Sequence, residues 1–166
     1  MQKVVSILTT IARIATGLSF LAIIVAVVIQ LLGRSGVIDA FVWTEELTRF
    51  ALLYLAAFGV GLAYRSGDLV NVDIVCEALP GRAPWVLRLI SAAITVGFGV
   101  LLIKATWLYV SIGVRQTAPS LGVRMDFIHA SMLVALVSLS LFALLRVIGM
   151  LTRQEQGLPE KSEEEL

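Results

Sequence analysis

Two adjacent carboxylates and an arginine stand at the start of a hydrophobic segment, where they could form an ion pair or bind a cation or a proton. Glu45 and Glu46 follow Thr44, and Arg49 comes four residues after Glu45. Residues four apart lie on one face of a helix, so Glu45 and Arg49 could form an ion pair. Thr44 could cap the same helix, whose dipole favours negative charge in its first turn. A purely structural role would account for all four side chains.

Two further interpretations of this charged stretch stay open. Arg49 lies more than one turn inside the hydrophobic segment, where an ionisable group is costly unless it is paired or faces protein. That position favours a charged face that docks on another membrane subunit. Alternatively, Glu45 or Glu46 could be a proton or cation site, although a coupling carboxylate is more typical of the membrane midplane.

The overall composition indicates a membrane protein without catalytic machinery. The 166 residues are 58% hydrophobic and only 15% charged, whereas soluble domains have about a quarter charged residues. A net charge of +1 gives no electrostatic reason to bind nucleic acid. One cysteine, Cys76, and one histidine, His129, are too few for a disulfide or a structural zinc site. The sequence has no nucleophile–base pair and no phosphate loop, so we expect no enzymatic activity, cofactor or metal.

Four apolar segments are long enough to cross a bilayer, whose hydrocarbon core of about 30 Å needs roughly 20 helical residues. We predict an all-α membrane protein with spans at about 14–33, 44–64, 84–113 and 127–150. The first span is too long for a signal peptide and lacks a cleavage site, so we expect it to be retained. Residues 1–151 would form the membrane domain, and the acidic residues 152–166 a disordered tail.

The connection between the second and third spans mixes apolar and acidic residues. Val70–Ile74 alternates like a strand, but a second pattern has helical spacing and consists of Leu69, Val72, Cys76 and Leu79. Because an open strand edge is unfavourable beside lipid, we predict a short interfacial amphipathic helix that ends before Pro80.

Several other features of the spans bear on packing and orientation. Lys104 in the third span is interpreted as a snorkelling lysine, and His129 in the fourth as a packing residue. Glycine pairs at 59 and 61 and at 97 and 99 permit close helix approach. With the N-terminus inside, eight Lys and Arg lie on the cytoplasmic side and five outside. The positive-inside rule therefore favours both termini in the cytoplasm.

The order of these features resembles the small membrane subunit of tripartite ATP-independent periplasmic (TRAP) transporters. The resemblance covers roughly residues 33–150 and rests on four short motifs that follow one another along the chain. In order, they are Glu45, Glu46 and Arg49; Arg65, Gly67, Val72 and Asp73; Leu79-Pro80; and Pro119 and Leu121. The chain departs from the family pattern at three positions. Leu69 replaces a frequent histidine, and Arg124 and Ser131 replace prolines.

The resemblance implies a non-enzymatic subunit of the bacterial inner membrane. A periplasmic solute-binding protein would capture an organic acid, and a large permease subunit would carry it inward with sodium. The small subunit would hold the stationary part of the transporter in membrane lipid. Candidate residues for the partner interface are Glu45, Glu46, Arg49, Arg65 and Asp73. Two alternatives remain, namely a free-standing four-helix transporter that acts as a homo-oligomer and an unrelated membrane adaptor.

Overall fold

Four long helices make up the part of the chain that the structure, a computed structural model, describes: residues 2–69 and 83–152. They are α1 (Gln2–Arg34), α2 (Trp43–Ser66), α3 (Ala83–Gly113) and α4 (Met125–Leu151). Each is long and apolar enough to cross a membrane. The predicted all-α architecture with four membrane helices is confirmed. The predicted interfacial helix and acidic tail fall almost entirely outside the described residues.

The helix ends follow local backbone chemistry. Gly36 and Gly67 follow α1 and α2 with φ values of 75° and 91°, a left-handed conformation that glycine adopts without steric cost. Helix α1 begins twelve residues before the predicted first span, at Gln2. Residues 2–13 contain neither glycine nor proline, so nothing interrupts the helix there. Its 33 residues extend about 50 Å, well beyond a hydrocarbon core of about 30 Å.

The helices pack in the order α1, α2, α4, α3. Helix α2 packs against both α1 and α4, and α3 packs against α4. We call the end of the bundle where α2 and α4 begin the Glu46 end; it carries the connections 35–42 and 114–124. The opposite end, where α2 and α4 finish and α1 and α3 begin, is the Arg65 end.

Small residues set the distance between neighbouring helices. A Cβ added to Gly61 of α2 would lie 2.5 Å from Cδ2 of Phe142, and one added to Gly99 of α3 would overlap Ser140. The buried residues of α3 are Ala92, Gly99, Thr106 and Gly113. Their spacing of seven residues is that of a helix pair crossing at about 20°. Close approach is confirmed at Gly61 and Gly99, whereas Gly59 and Gly97 have no such neighbour.

Within residues 2–69 and 83–152, most of the apolar surface of the helices is not covered by other helices. Tyr64, Phe142 and Ala143 form a small buried cluster at the Arg65 end. In the most apolar window of α1, only 6% of the residues are buried. Surface of this kind is stable against lipid or against another membrane chain.

Candidate functional site

The carboxylate of Glu46 joins the start of α2 to the loop between α3 and α4. It accepts hydrogen bonds from the backbone amide of Ser120, at 3.1 Å from each carboxylate oxygen, and from that of Leu121, at 2.9 Å. A charged acceptor makes such bonds stronger than neutral ones. Glu46 thus binds a turn that lies 74 residues further along the chain.

The turn that Glu46 contacts has its own backbone hydrogen bonds. The amide of Ala118 donates to the carbonyl of Val123 at 2.8 Å, and the amide of Gly122 donates to the carbonyl of Ala118 at 2.9 Å. Gly122 has a φ of 65°, which favours glycine at this position. The amides of Ser120 and Leu121 take no part in these backbone bonds and donate to the Glu46 carboxylate instead.

Tyr54 makes a second connection between α2 and α4. Its hydroxyl donates a hydrogen bond to the backbone carbonyl of Phe127 in the first turn of α4. On the other side of α2, the Nε2 amide of Gln30 donates to Oγ1 of Thr48 at 2.9 Å. Polar contacts of α2 at the Glu46 end therefore reach the loop, α4 and α1.

Glu45 and Arg49 lie on the remaining, exposed face of α2. Leu52 and Leu53, which are 57% and 47% exposed, continue this face along the helix. The ion pair predicted between Glu45 and Arg49 is not formed in the described part of the chain. Both side chains instead extend outward, so each is available to a group outside this chain. We call the surface of Glu45, Arg49, Leu52 and Leu53 the open face of α2.

The prediction that Thr44 caps α2 is wrong. The helix begins one residue earlier, at Trp43, and its N-cap residue Val42 has no side-chain hydrogen bond. The Thr44 hydroxyl donates to the carbonyl of Phe41 at 2.6 Å. Thr44 is 1% exposed. Its hydroxyl therefore bonds within the chain and does not accept a hydrogen bond from the first backbone amides of the helix.

Arg65 lies at the opposite end of the bundle from Glu45, Glu46 and Arg49. Its Nη1 donates to Oγ1 of Thr9, which ties the end of α2 to α1. Nearby, the Arg146 guanidinium lies 5.6 Å from the centre of the Tyr64 ring, within the range of a cation–π contact. Asp73 is outside the described residues. The candidates therefore do not converge on one site.

His129 fills the space between α3 and α4 at the Glu46 end. Its ring stacks on Tyr109, with 4.0 Å between ring centres, and its Nδ1 lies 3.2 Å from the carbonyl oxygen of Tyr109. Opposite it, a Cβ on Gly113 would lie 2.6 Å from Nδ1. These contacts are those of a packing residue. Within residues 2–69 and 83–152, no group of three or more His, Cys, Asp or Glu side chains could hold a metal ion.

The sequence of this helical bundle was compared with those of known proteins. The family model for the DctQ component of tripartite ATP-independent periplasmic transporters matches residues 23–153. The chain belongs to this family. A Haemophilus influenzae protein whose name describes it as a TRAP transporter small permease protein is 23% identical over 133 residues, which cover 80% of this chain and 83% of that protein.

Membership of the DctQ family confirms the resemblance seen in the sequence. The match to the DctQ component covers the last third of α1 and all of α2, α3 and α4. Both sides of the contact between Glu46 and the loop lie inside it. In this DctQ-family chain, the acidic start of α2 and the Pro119–Leu121 element are therefore parts of one structural feature. Both motifs are visible in the sequence, but nothing in their spacing indicates that they are in contact.

Proposed function

We propose that this protein is the small inner-membrane subunit of a TRAP-type secondary transporter, with both termini in the cytoplasm. It would serve as a fixed scaffold for a large permease subunit. That subunit would take up an organic acid, coupled to sodium, from a periplasmic binding protein. The observation that carries the proposal is Arg49, which is exposed on a face that continues into Leu52 and Leu53 and has no partner in the described part of the chain.

The exposure of Arg49 supports a protein partner. With the Glu46 end at the periplasmic surface, Arg49 lies about 9 Å along the helix from Trp43, its first residue. A guanidinium in hydrocarbon is costly at that depth, and a partner's carboxylate or carbonyl groups would remove most of this cost. The adjacent Leu52 and Leu53 would be buried in the same contact. Glu45, at the membrane-surface edge of this contact, would face a cation or water.

The internal contacts of the chain support a scaffold rather than a carrier. Helix α2 is fixed to the loop by Glu46, to α4 by Tyr54 and to α1 by Thr48. A groove of about 280 Å³ formed by α1, α2 and α4 is lined almost entirely by apolar side chains, including Leu8, Phe58 and Val137. None of the side chains that line this groove is a cation that could bind the carboxylate of an organic acid. A subunit without differential contacts to substrate can position a moving partner but cannot drive transport.

The experiment that tests this function is copurification followed by transport. The tagged small subunit, expressed with its neighbouring genes, should retrieve a large multi-span membrane protein. Deleting the small subunit should abolish uptake of the organic acid into cells or liposomes. A small subunit that is stable alone, retrieves no membrane protein and leaves uptake unchanged when deleted would overturn the proposal.

A further inference from the structure

Lys104 is a cation on the outer side of α3, facing away from the other described helices. Helix α3 contacts α4 through the seam that contains Gly99 and Thr106. At about 100° per residue, Lys104 lies about 140° around the helix from Gly99 and about 160° from Thr106. The side chain is exposed, and in the described part of the chain its ammonium has no hydrogen-bond or ion-pair partner.

The register of α3 against α4 gives the depth of Lys104 in the membrane. The end of α3 is fixed beside the start of α4, because a Cβ on Gly113 would lie 2.7 Å from the backbone nitrogen of Asp126. Asp126 pairs with the exposed Arg124 at 2.6 Å, and we place the membrane surface at this charged pair. Lys104 precedes Gly113 by nine residues, or about 13 Å, which is close to the midplane of a hydrocarbon core of about 30 Å.

Apolar side chains surround Lys104 on the exposed side of α3. Leu101 and Leu108, one turn to either side, are 73% and 63% exposed. A lysine near a helix end can extend its ammonium to the headgroups, but Lys104 is about two and a half turns from the end of α3. The snorkelling interpretation drawn from the sequence therefore fits this depth poorly. An ionisable side chain at mid-membrane is typical of a paired, functional position.

We propose that Lys104 forms an ion pair with an acidic side chain on a membrane helix of the large permease subunit. The inference rests on the proposed function and adds a second contact, at the midplane. Arg49 lies on α2 and Lys104 on α3, with α4 between these helices. The large subunit therefore holds the small one at two separate places. Charge complementarity identifies the chemistry of the occupant, since lipid tails offer no anion at this depth.

The test moves the lysine by one helical turn and measures how much of the large subunit copurifies with the small one. In the double variant Lys104→Leu, Leu108→Lys, the cation stays on the same face but lies about 6 Å nearer the surface. A snorkelling lysine would accept that move. An ion pair at fixed depth would be broken by it. The double variant and Lys104→Met should therefore each reduce copurification of the large subunit at least tenfold. Lys104→Arg keeps the charge and should retain most of the copurification. Yields are normalised to the small subunit in the membrane.

The controls separate this inference from the proposed function. Removing a charge makes α3 more apolar, so Lys104→Met should insert as well as the wild type. Arg115→Met, at an exposed arginine of the loop, should leave the complex intact. If the wild type retrieves the large subunit and the double variant retrieves it equally well, the ion pair is wrong and the proposed function stands. If the wild type retrieves none, both fall.

Discussion

The carboxylate of Glu46 accepts a hydrogen bond from the backbone amide of Leu121 at 2.9 Å. This contact connects the first turn of α2 to the loop that joins α3 and α4. The neighbouring Glu45 is exposed and takes no part in it. Two adjacent glutamates therefore have different roles: Glu46 acts within the chain, and Glu45 faces outward.

Replacing Glu46 by Gln should loosen the loop. A hydrogen bond to a charged group contributes about 1.5–3 kcal/mol, and a neutral amide oxygen retains only part of this. We expect the amides of Ser120 and Leu121 to exchange with solvent about tenfold faster, which corresponds to about 1.4 kcal/mol. Hydrogen exchange of the protein in lipid nanodiscs, followed by mass spectrometry, measures this directly.

Glu45→Gln provides the matched control for that experiment. It changes the same residue type one position earlier, on a side chain that does not contact the loop. Its exchange rates at Ser120 and Leu121 should equal those of the wild type. Equal rates in Glu46→Gln as well would show that the carboxylate does not hold the turn.

Replacing Gly99 by Ala should destabilise the contact between α3 and α4. The added Cβ would overlap Oγ of Ser140 and lie 3.2 Å from its Cβ, and overpacking of this kind costs about 1–3 kcal/mol. The second change Ser140→Ala removes the overlapping oxygen and should recover part of the loss. Unfolding of the purified protein in detergent, followed by circular dichroism, gives the free energies for the double-mutant cycle.

Gly97→Ala is the control for the Gly99 variant. A Cβ at position 97 meets nothing within 4 Å, and alanine favours a helix more than glycine does by about 1 kcal/mol. This variant should be as stable as the wild type or slightly more so. A loss of stability as large as that of Gly99→Ala would mean that the register of α3 against α4 is different.

Reversing the charge of Arg49 should impair assembly more than folding. Arg49→Glu places a second carboxylate beside Glu45 on the open face and, if a partner covers that face, opposes the partner's anion or carbonyl groups. We expect copurification of the large subunit to fall about tenfold or more, since a shift of 1.4 kcal/mol is sufficient. Thermal unfolding of the isolated small subunit should change little, because Arg49 has no partner in the described part of the chain.

The matched control for Arg49 is Arg34→Glu, an equal change in charge at the exposed end of α1. This variant should assemble as the wild type does. Normal assembly and uptake with Arg49→Glu would contradict docking through the open face, whatever the control shows.

Hydropathy was sufficient to predict the four helices, because an apolar run of about 20 residues has few alternatives in a membrane. It could not predict that α1 begins at Gln2, since the polar and apolar residues before Ile14 extend a helix without being required to cross the bilayer. The assignment of Thr44 as a cap failed for a local reason. Its hydroxyl bonds back to Phe41, a choice that sequence spacing does not distinguish from capping.

The contacts between distant segments were not predictable from one sequence. Glu46 and Leu121 are 75 residues apart, and helical periodicity contains no information about which loop a carboxylate meets. The same limit applies to Lys104, whose depth follows only from the register of α3 against α4. By contrast, the resemblance to the TRAP family did identify the two motifs that meet, because it rested on their order along the chain.

We infer that another membrane protein covers the open face of α2. A photo-crosslinking amino acid in place of Leu52, beside Arg49, tests it most directly when cells are irradiated before the membranes are dissolved. We expect a crosslinked product that contains the large permease subunit and disappears when the gene for that subunit is deleted. Crosslinks to lipid alone, in cells that contain the large subunit and transport normally, would contradict it.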